Sequence, residues 1–264
     1  MSESPPSPSS SGVSRFLRRC WGAGVGAVGS LVFPWECPIC GADVEGAGAP
    51  FCVDCRAELI GAAGAACPRC AMPVGSWAVL PEGCGECRGR RPGFDAAFAL
   101  GPYQGPIRDL CLTLKDERNG WVAPWLAGVL VEARPGLREE AGRSAGAWVV
   151  PVPLHWRRRW VRGYNQAEVL ARGVARGLGL RDLDLLRRVE ATTPLAGLGR
   201  AERARSMRGA FRVRGSPDLK GRTVLLVDDI LTTGATCGAA ARALNRAGAA
   251  RVVAVVVGRA EGRS

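Results

Sequence analysis

From Phe94 onward the apolar positions fall into short runs separated by segments of helical spacing. Phe94 to Tyr103 predicts a strand that ends in the turn Gly101-Pro102-Tyr103-Gln104-Gly105. Pro106 to Lys115 and Trp121 to Glu132 predict helices, and Ala147 to Pro153 predicts an apolar strand stopped by prolines. Asn165 to Leu178 predicts a helix. Thr223 to Val227 and Arg251 to Val257 are continuous apolar runs, as expected of parallel strands buried on both faces. Between them Ala235 to Ala247 predicts a helix of small residues, which completes a βαβ unit.

Upstream the periodicity is lost. Residues 1–14 are rich in Ser and Pro and read as a disordered tail. Arg15 to Phe33 predicts a short helix, and Cys37 to Cys87 is a Gly- and Pro-rich module dominated by cysteine. The expected organisation is therefore a tail and short helix over 1–30, a small cysteine domain over 31–93 and an open, mainly parallel α/β domain over 94–264.

The cysteines occur as four Cys-x-x-Cys pairs: Cys37/Cys40, Cys52/Cys55, Cys67/Cys70 and Cys84/Cys87. A tetrahedral zinc takes four ligands, so eight thiolates make two sites. The gaps alone do not fix which pairs combine, but the flanks are informative. Cys37-Pro38-Ile39-Cys40 resembles Cys67-Pro68-Arg69-Cys70, and Val44 and Val74 follow at equal spacing. Cys52-Val53-Asp54-Cys55-Arg56 likewise resembles Cys84-Gly85-Glu86-Cys87-Arg88. This internal repeat predicts Cys37, Cys40, Cys52 and Cys55 on one zinc and Cys67, Cys70, Cys84 and Cys87 on the other. Such a double zinc ribbon is structural, because a site closed by four Cys has no open position for chemistry. Disulfides and a redox pair are the competing readings. Cys20, Cys111 and Cys237 remain and read as small apolar packing residues. Cys237 falls in the first turn of a predicted helix, where the helix start can lower a thiol's pKa.

The formal charge is +12, yet only Lys115 and Lys220 are lysines. So Arg-rich a chain, with 36 Gly, reflects coding bias as well as chemistry. Two zinc–thiolate sites would bring the charge to about +8, still suited to phosphates, anionic polymers or an acidic partner. Trp21 to Phe33 is too short and Gly-dotted to span a membrane, which takes about 20 apolar residues. Arg15, Arg18 and Arg19 ahead of it mimic a signal peptide, but the thiols that follow suit a reducing, cytoplasmic compartment.

The sharpest chemical signal is Val224-Leu225-Leu226-Val227-Asp228-Asp229-Ile230-Leu231-Thr232-Thr233-Gly234-Ala235-Thr236. A buried strand ends in two carboxylates, and a Thr- and Gly-rich loop then opens a helix. Free amides at the helix start and three Thr hydroxyls would cradle a phosphate, while the carboxylates would accept bonds from vicinal hydroxyls or support a metal ion. That combination describes a sugar-phosphate site at the edge of an α/β sheet. A Walker B strand also ends in acidic residues, but it requires a Gly-x-x-x-x-Gly-Lys-Ser/Thr loop, and neither lysine has that context.

This stretch resembles the phosphoribosyl pyrophosphate (PRPP) signature of type I phosphoribosyltransferases. Leu31-Val32-Phe33-Pro34, Cys37-Pro38-Ile39-Cys40-Gly41, Leu114-Lys115, Val150-Pro151-Val152-Pro153-Leu154 and Arg162-Gly163-Tyr164-Asn165-Gln166-Ala167-Glu168 together resemble the ComF family. These are competence-associated, phosphoribosyltransferase-like proteins with an amino-terminal zinc module. The resemblance implies that Asp228 and Asp229 hold the ribose hydroxyls and that Thr232, Thr233, Gly234, Ala235 and Thr236 hold the 5-phosphate. It implies a pyrophosphate loop at Pro151, Val152, Pro153 and Leu154 with Arg162 nearby, and Mg²⁺ held mainly by the ligand's own oxygens. Family members usually carry Gln near Leu195 and Asn near Ser206, and this chain departs from both. A homodimer follows by family analogy.

Two functions are consistent with these residues. One is a PRPP- or ribose-phosphate-binding protein of the ComF type, linked to DNA uptake, with Mg²⁺-dependent phosphoribosyl transfer as its implied activity. Transfer needs positioning and charge stabilisation rather than a covalent nucleophile. The other is a non-catalytic module that binds a nucleotide or single-stranded DNA and recruits a DNA-uptake partner through the ribbons. Trp156-Arg157-Arg158-Arg159-Trp160-Val161-Arg162 fits either pyrophosphate binding, base stacking or a solvated Arg face. Arg200, Arg203, Arg205 and Arg208 read as a basic hood or as one face of an amphipathic helix. His155, the single histidine, reads as structural or solvent-facing.

Overall fold

The computed structural model describes residues 35–44, 50–76, 78, 80, 83–87, 92–143, 146–154, 163–189, 207 and 209–261. The expectations for the tail, the helix at 15–33, Cys20, His155, the 156–162 run, Leu195, Ser206 and the arginines at 200–208 lie outside these residues.

A short antiparallel hairpin, β1 (Trp35–Glu36) and β2 (Asp43–Val44), comes first among the described residues. Helix α1 (Val53–Gly61) follows inside the cysteine module. The α/β part runs β3 (Ala96–Pro102), α2 (Gly105–Thr113), a 3₁₀ turn (Glu117–Val122), α3 (Ala123–Ala133), α4 (Gly136–Gly142), β4 (Ala147–Pro151) and α5 (Gln166–Leu178). It continues with β5 (Arg181–Asp182), β6 (Leu186–Arg188), β7 (Phe211–Val213), β8 (Thr223–Leu231), α6 (Ala235–Arg246) and β9 (Arg251–Arg259).

Five strands form one sheet in the order β3-β9-β8-β4-β5, with every neighbouring pair parallel. The mainly parallel α/β domain expected from the apolar runs is the domain observed. Because side chains alternate along a strand, the sheet has two apolar faces. Leu225, Val227, Val253 and Val255 join α2, α3 and α5 in one core layer. Val224, Leu226, Val252 and Ala254 join α6 and the β6–β7 hairpin in the other. Asn165 caps α5, its side chain accepting a hydrogen bond from the Ala167 N–H at 3.2 Å.

Several boundaries differ from expectation. Trp121 lies in the 3₁₀ turn, and α3 begins at Ala123 with Pro124 in its first turn. The strand β3 begins at Ala96 rather than Phe94. More consequentially, β8 does not stop at Val227. It runs to Leu231, because β9 extends to Arg259 and supplies backbone partners for Asp228, Ile230 and Leu231.

The cysteine module is built into the larger domain. Phe51 and Leu59 are buried in the same core layer as Leu100, Ile107 and Val129. Arg56 pairs with Glu132 on α3. Arg134 donates to the carbonyls of Gly64 at 2.9 Å and Ala99 at 2.6 Å, tying the end of the first ribbon to β3.

Candidate functional site

The eight paired cysteines gather into two groups, Cys37/Cys40/Cys52/Cys55 and Cys67/Cys70/Cys84/Cys87, as the internal repeat predicts. A tetrahedron with Zn–S bonds of about 2.3 Å places its sulfurs about 3.8 Å apart. The Sγ–Sγ separations are 3.7 Å for Cys40–Cys52, 3.6 Å for Cys67–Cys87, 3.5 Å for Cys70–Cys84 and 3.8 Å for Cys84–Cys87. The donor sets therefore fit zinc. Each knuckle closes in the same way: Cys37 N–H donates to Ala42 and Gly41 N–H to Cys37, while Cys67 N–H donates to Met72 and Ala71 N–H to Cys67. Burial opposes ionisation of Cys37 and Cys67, yet main-chain amides aimed at their sulfurs bring both thiols down to about 7.

The second chemical centre lies at the carboxyl edge of the parallel sheet. There β8 runs out, residues 232–234 turn, and α6 begins. Gly234 is the N-cap at φ +78°, a left-handed conformation that glycine adopts without strain. The leading N–H groups of α6 have no partner within the helix, although Thr233 Oγ1 accepts from Ala235 N–H at 3.4 Å. Thr232 is exposed, and Thr233, Gly234, Ala235 and Thr236 are half-buried, so the turn is open to a ligand.

Asp228 and Asp229 stand close enough for their carboxyls to interact, and each also reaches a different helix. Asp228 Oδ2 accepts from the Cys237 thiol on α6 at 3.8 Å, and its Oδ1 accepts from the Asp229 N–H at 2.9 Å. Asp229 Oδ2 accepts from Gln166 Nε2 on α5 at 3.0 Å. Burial, and then the charge of Asp229, pushes the Asp228 carboxyl well above the ordinary carboxylate value.

Gln166 belongs to the Arg162–Glu168 segment that carries the family resemblance, which implies no role for it. It is buried beside Asp229, and its Oε1 has no partner among the described residues. The signal for it was the polar pair Asn165-Gln166 at the start of an otherwise amphipathic helix. Asn165 Nδ2 also donates to Val152 O at 3.1 Å. Tyr164 donates to the Leu114 carbonyl, which anchors the same segment to the end of α2.

Pro151 closes β4, and Val152, Pro153 and Leu154 follow at the same sheet edge, with Val152 N–H donating to Val227 O at 2.9 Å. Pro151, Val152 and Pro153 are buried, the prolines have no N–H, and the Val152 N–H is taken by Val227 O, so the Leu154 N–H is what this turn leaves for a ligand. Arg162 lies outside the described residues. Cys237 is buried, and burial followed by the charges of Asp228 and Asp229 pushes its thiol up. The helix start does not activate it, and it packs as a small apolar residue. Burial likewise raises Cys111.

A parallel sheet with an acidic strand end, a Thr/Gly turn and a helix start at its carboxyl edge defines a phosphoribosyltransferase-like protein. The family model "Phosphoribosyl transferase domain" matches residues 165–264, and "Double zinc ribbon domain" matches residues 28–88. The chain is 34% identical to DNA utilization protein YhgH of Salmonella typhi over 70% of its own length and 80% of the relative's. It is 33% identical to the protein of the same name in Escherichia coli over the same shares. It is 29% identical to Competence protein F of Haemophilus influenzae over 75% of this chain and 91% of the relative. The chain belongs to the ComF family. None of the helices among the described residues is long and apolar enough to cross a membrane.

Proposed function

We propose that this chain binds PRPP, or a closely related ribose phosphate, together with Mg²⁺ at the 228–236 turn. The carrying observation is the open Thr232–Thr236 turn heading α6 directly after Asp228 and Asp229. The 5-phosphate would sit on the amides at the start of α6 and the hydroxyls of Thr232, Thr233 and Thr236. Asp228 and Asp229 would accept from the ribose hydroxyls, with Gln166 fixing the Asp229 carboxylate. The Leu154 N–H of the Pro151–Leu154 turn and the side chain of Arg162 would face the pyrophosphate. Mg²⁺ would be held mainly by the ligand's own oxygens.

In the transfer reaction a nucleophile forms a bond to ribose C1 as the C1–O bond to pyrophosphate breaks, and the electron pair leaves with pyrophosphate. Bound Mg²⁺ supplies charge neutralisation to that leaving group. The chain's own contribution is to orient the ribose and exclude other geometries. The names of the relatives, DNA utilization protein and Competence protein F, support a role in DNA uptake and use.

A second reading is favoured by the zinc module, which small-molecule transfer alone does not require. In it, the same turn holds a nucleotide or the end of a single strand, and the ribbons recruit a DNA-uptake protein.

Calorimetric titration of Mg²⁺-PRPP into the zinc-loaded protein tests the first reading. Specific binding that weakens at least about 100-fold in Asp228→Asn/Asp229→Asn is expected, since charge-assisted hydrogen bonds are being removed. Equal binding by the double variant would refute the assigned site. Absent PRPP binding alongside salt-sensitive binding of single-stranded DNA would favour the second reading.

A further inference from the structure

Arg259 closes β9, and only 4% of it is exposed. Its Nε donates to the carbonyl of Cys70 at 2.7 Å. Its Nη1 donates to the carbonyls of Leu231 at 3.0 Å and Thr232 at 2.8 Å, and also to that of Ala260. One guanidinium thus bridges a knuckle of the second zinc centre and the first residues of the phosphate turn. All these acceptors are neutral carbonyls, and a buried cation is costly without nearby negative charge. A zinc ion bound by four thiolates carries two net negative charges, and Cys70 is one of its ligands. The Arg259 charge is therefore flanked by that centre on one side and by the turn that would receive an anion on the other.

A second strut joins the same two regions. Pro92 and Gly93, just beyond the ribbon, lie against α6: Asn245 Nδ2 donates to Gly93 O at 3.1 Å and Arg242 Nη1 to Pro92 O at 3.4 Å. A Cβ on Gly238 would come within 1.9 Å of Pro92 O, so only glycine permits this approach. The ring of Phe94 then lies against Gly234, the N-cap of α6. The first centre is docked elsewhere, through Phe51 and Leu59 in the opposite core layer.

We propose that Arg259 is a positioning residue that couples the second zinc centre to the ribose-phosphate turn, so that the turn keeps its ligand-ready shape only while that centre holds its metal. The coupling deepens the ribose-phosphate reading and rests on it for its consequence in binding. Loss of zinc, or oxidation of its thiolates, releases the Cys70 carbonyl and the nearby negative charge. Arg259 then loses its anchor, and the Leu231 and Thr232 carbonyls lose their shared donor.

The test is amide hydrogen exchange on the full-length, ligand-free protein, which needs no assumption about PRPP. Arg259→Gln is expected to speed exchange at 231–236 about tenfold, because local opening no longer breaks charge-assisted bonds. Arg259→Lys, which keeps the charge, is expected to recover part of that protection. Cys87→Ser, which disables the second centre, should speed exchange at 231–236 as Arg259→Gln does, and the combined variant should add little. Cys40→Ser, which disables the first centre, should leave exchange there within about twofold. Arg251→Gln breaks the bridge to Glu140 at the other end of β9 (2.6 Å), and serves as a variant that lowers global stability without opening the turn. Unchanged exchange at 231–236 in Arg259→Gln overturns the proposal, as does equal opening on loss of either zinc. Opening as expected but with no Mg²⁺-PRPP binding by the wild-type protein would leave the coupling standing and refute the ligand assignment instead.

Discussion

The two zinc centres follow one sequence plan in different surroundings. In the first, Cys40 is exposed and Cys52 half-buried, and the hairpin β1–β2 covers one side. In the second, all four cysteines are buried, Pro68 O accepts from the β3 amide of Ala97, and Cys70 O accepts from Arg259. The first centre holds a small docking unit whose apolar content, Phe51 and Leu59, is contributed to someone else's core. The second is sealed into the edge of the sheet where the phosphate turn begins. A repeated metal motif can therefore serve as a fastening in one copy and as part of a functional scaffold in the other.

The largest effect expected from this difference is kinetic. A chelator should strip zinc in two phases separated by roughly tenfold or more, the fast phase from the centre with the exposed Cys40 ligand. Cys40→Ser should abolish the fast phase and Cys87→Ser the slow one. A single phase of two zincs would remove the distinction between the centres.

A smaller effect sharpens how the first ribbon is attached. Leu59 is 1% exposed and sits in the core layer with α3. Leu59→Ala should cost about 2–4 kcal/mol in denaturant unfolding. A loss under about 0.5 kcal/mol would mean that the ribbon folds beside the domain rather than into it.

The smallest effect concerns the carboxylate on the second centre's side of the sheet. Because the folded protein raises the Asp228 pKa from its ordinary value of 3.8, it binds that proton more tightly than the unfolded chain does. Its contribution to stability is present below about pH 4 and declines as pH rises towards the raised value. Above the ordinary carboxylate range Asp228 therefore destabilises the fold. Asp228→Asn should raise Tm by roughly 2–4 °C at pH 8, with the gain shrinking steadily towards pH 5. A Tm that falls at pH 8 would contradict this.

Much of this was legible in the sequence because it depends on local pattern. The runs at 223–227 and 251–257 have no polar interruption, so only strands buried on both faces suit them, and the Cys-x-x-Cys flanks repeat closely enough to pair the ligands. What was not legible depends on partners distant in the chain. Asp228 reaches Cys237 on α6 and Asp229 reaches Gln166 on α5, contacts that no feature of the 228–236 segment reveals. Gln166 reaches Asp229 across 63 positions, and Arg259 reaches Cys70 across 189. In a chain with 36 basic residues, one arginine at the end of a strand carries no mark of its use. Leu59 lies in a segment of weak periodicity, and its core partners are supplied by α3.

The central claim is that the sheet edge beyond β8 and β4 is a ribose-phosphate site. Its most direct test is the pattern of amide protection that Mg²⁺-PRPP produces in the wild-type, zinc-loaded protein. Protection concentrated at 229–237, with a second site at the Leu154 amide, is the predicted result. Protection elsewhere, with both of these sites exchanging as in the free protein, would contradict it.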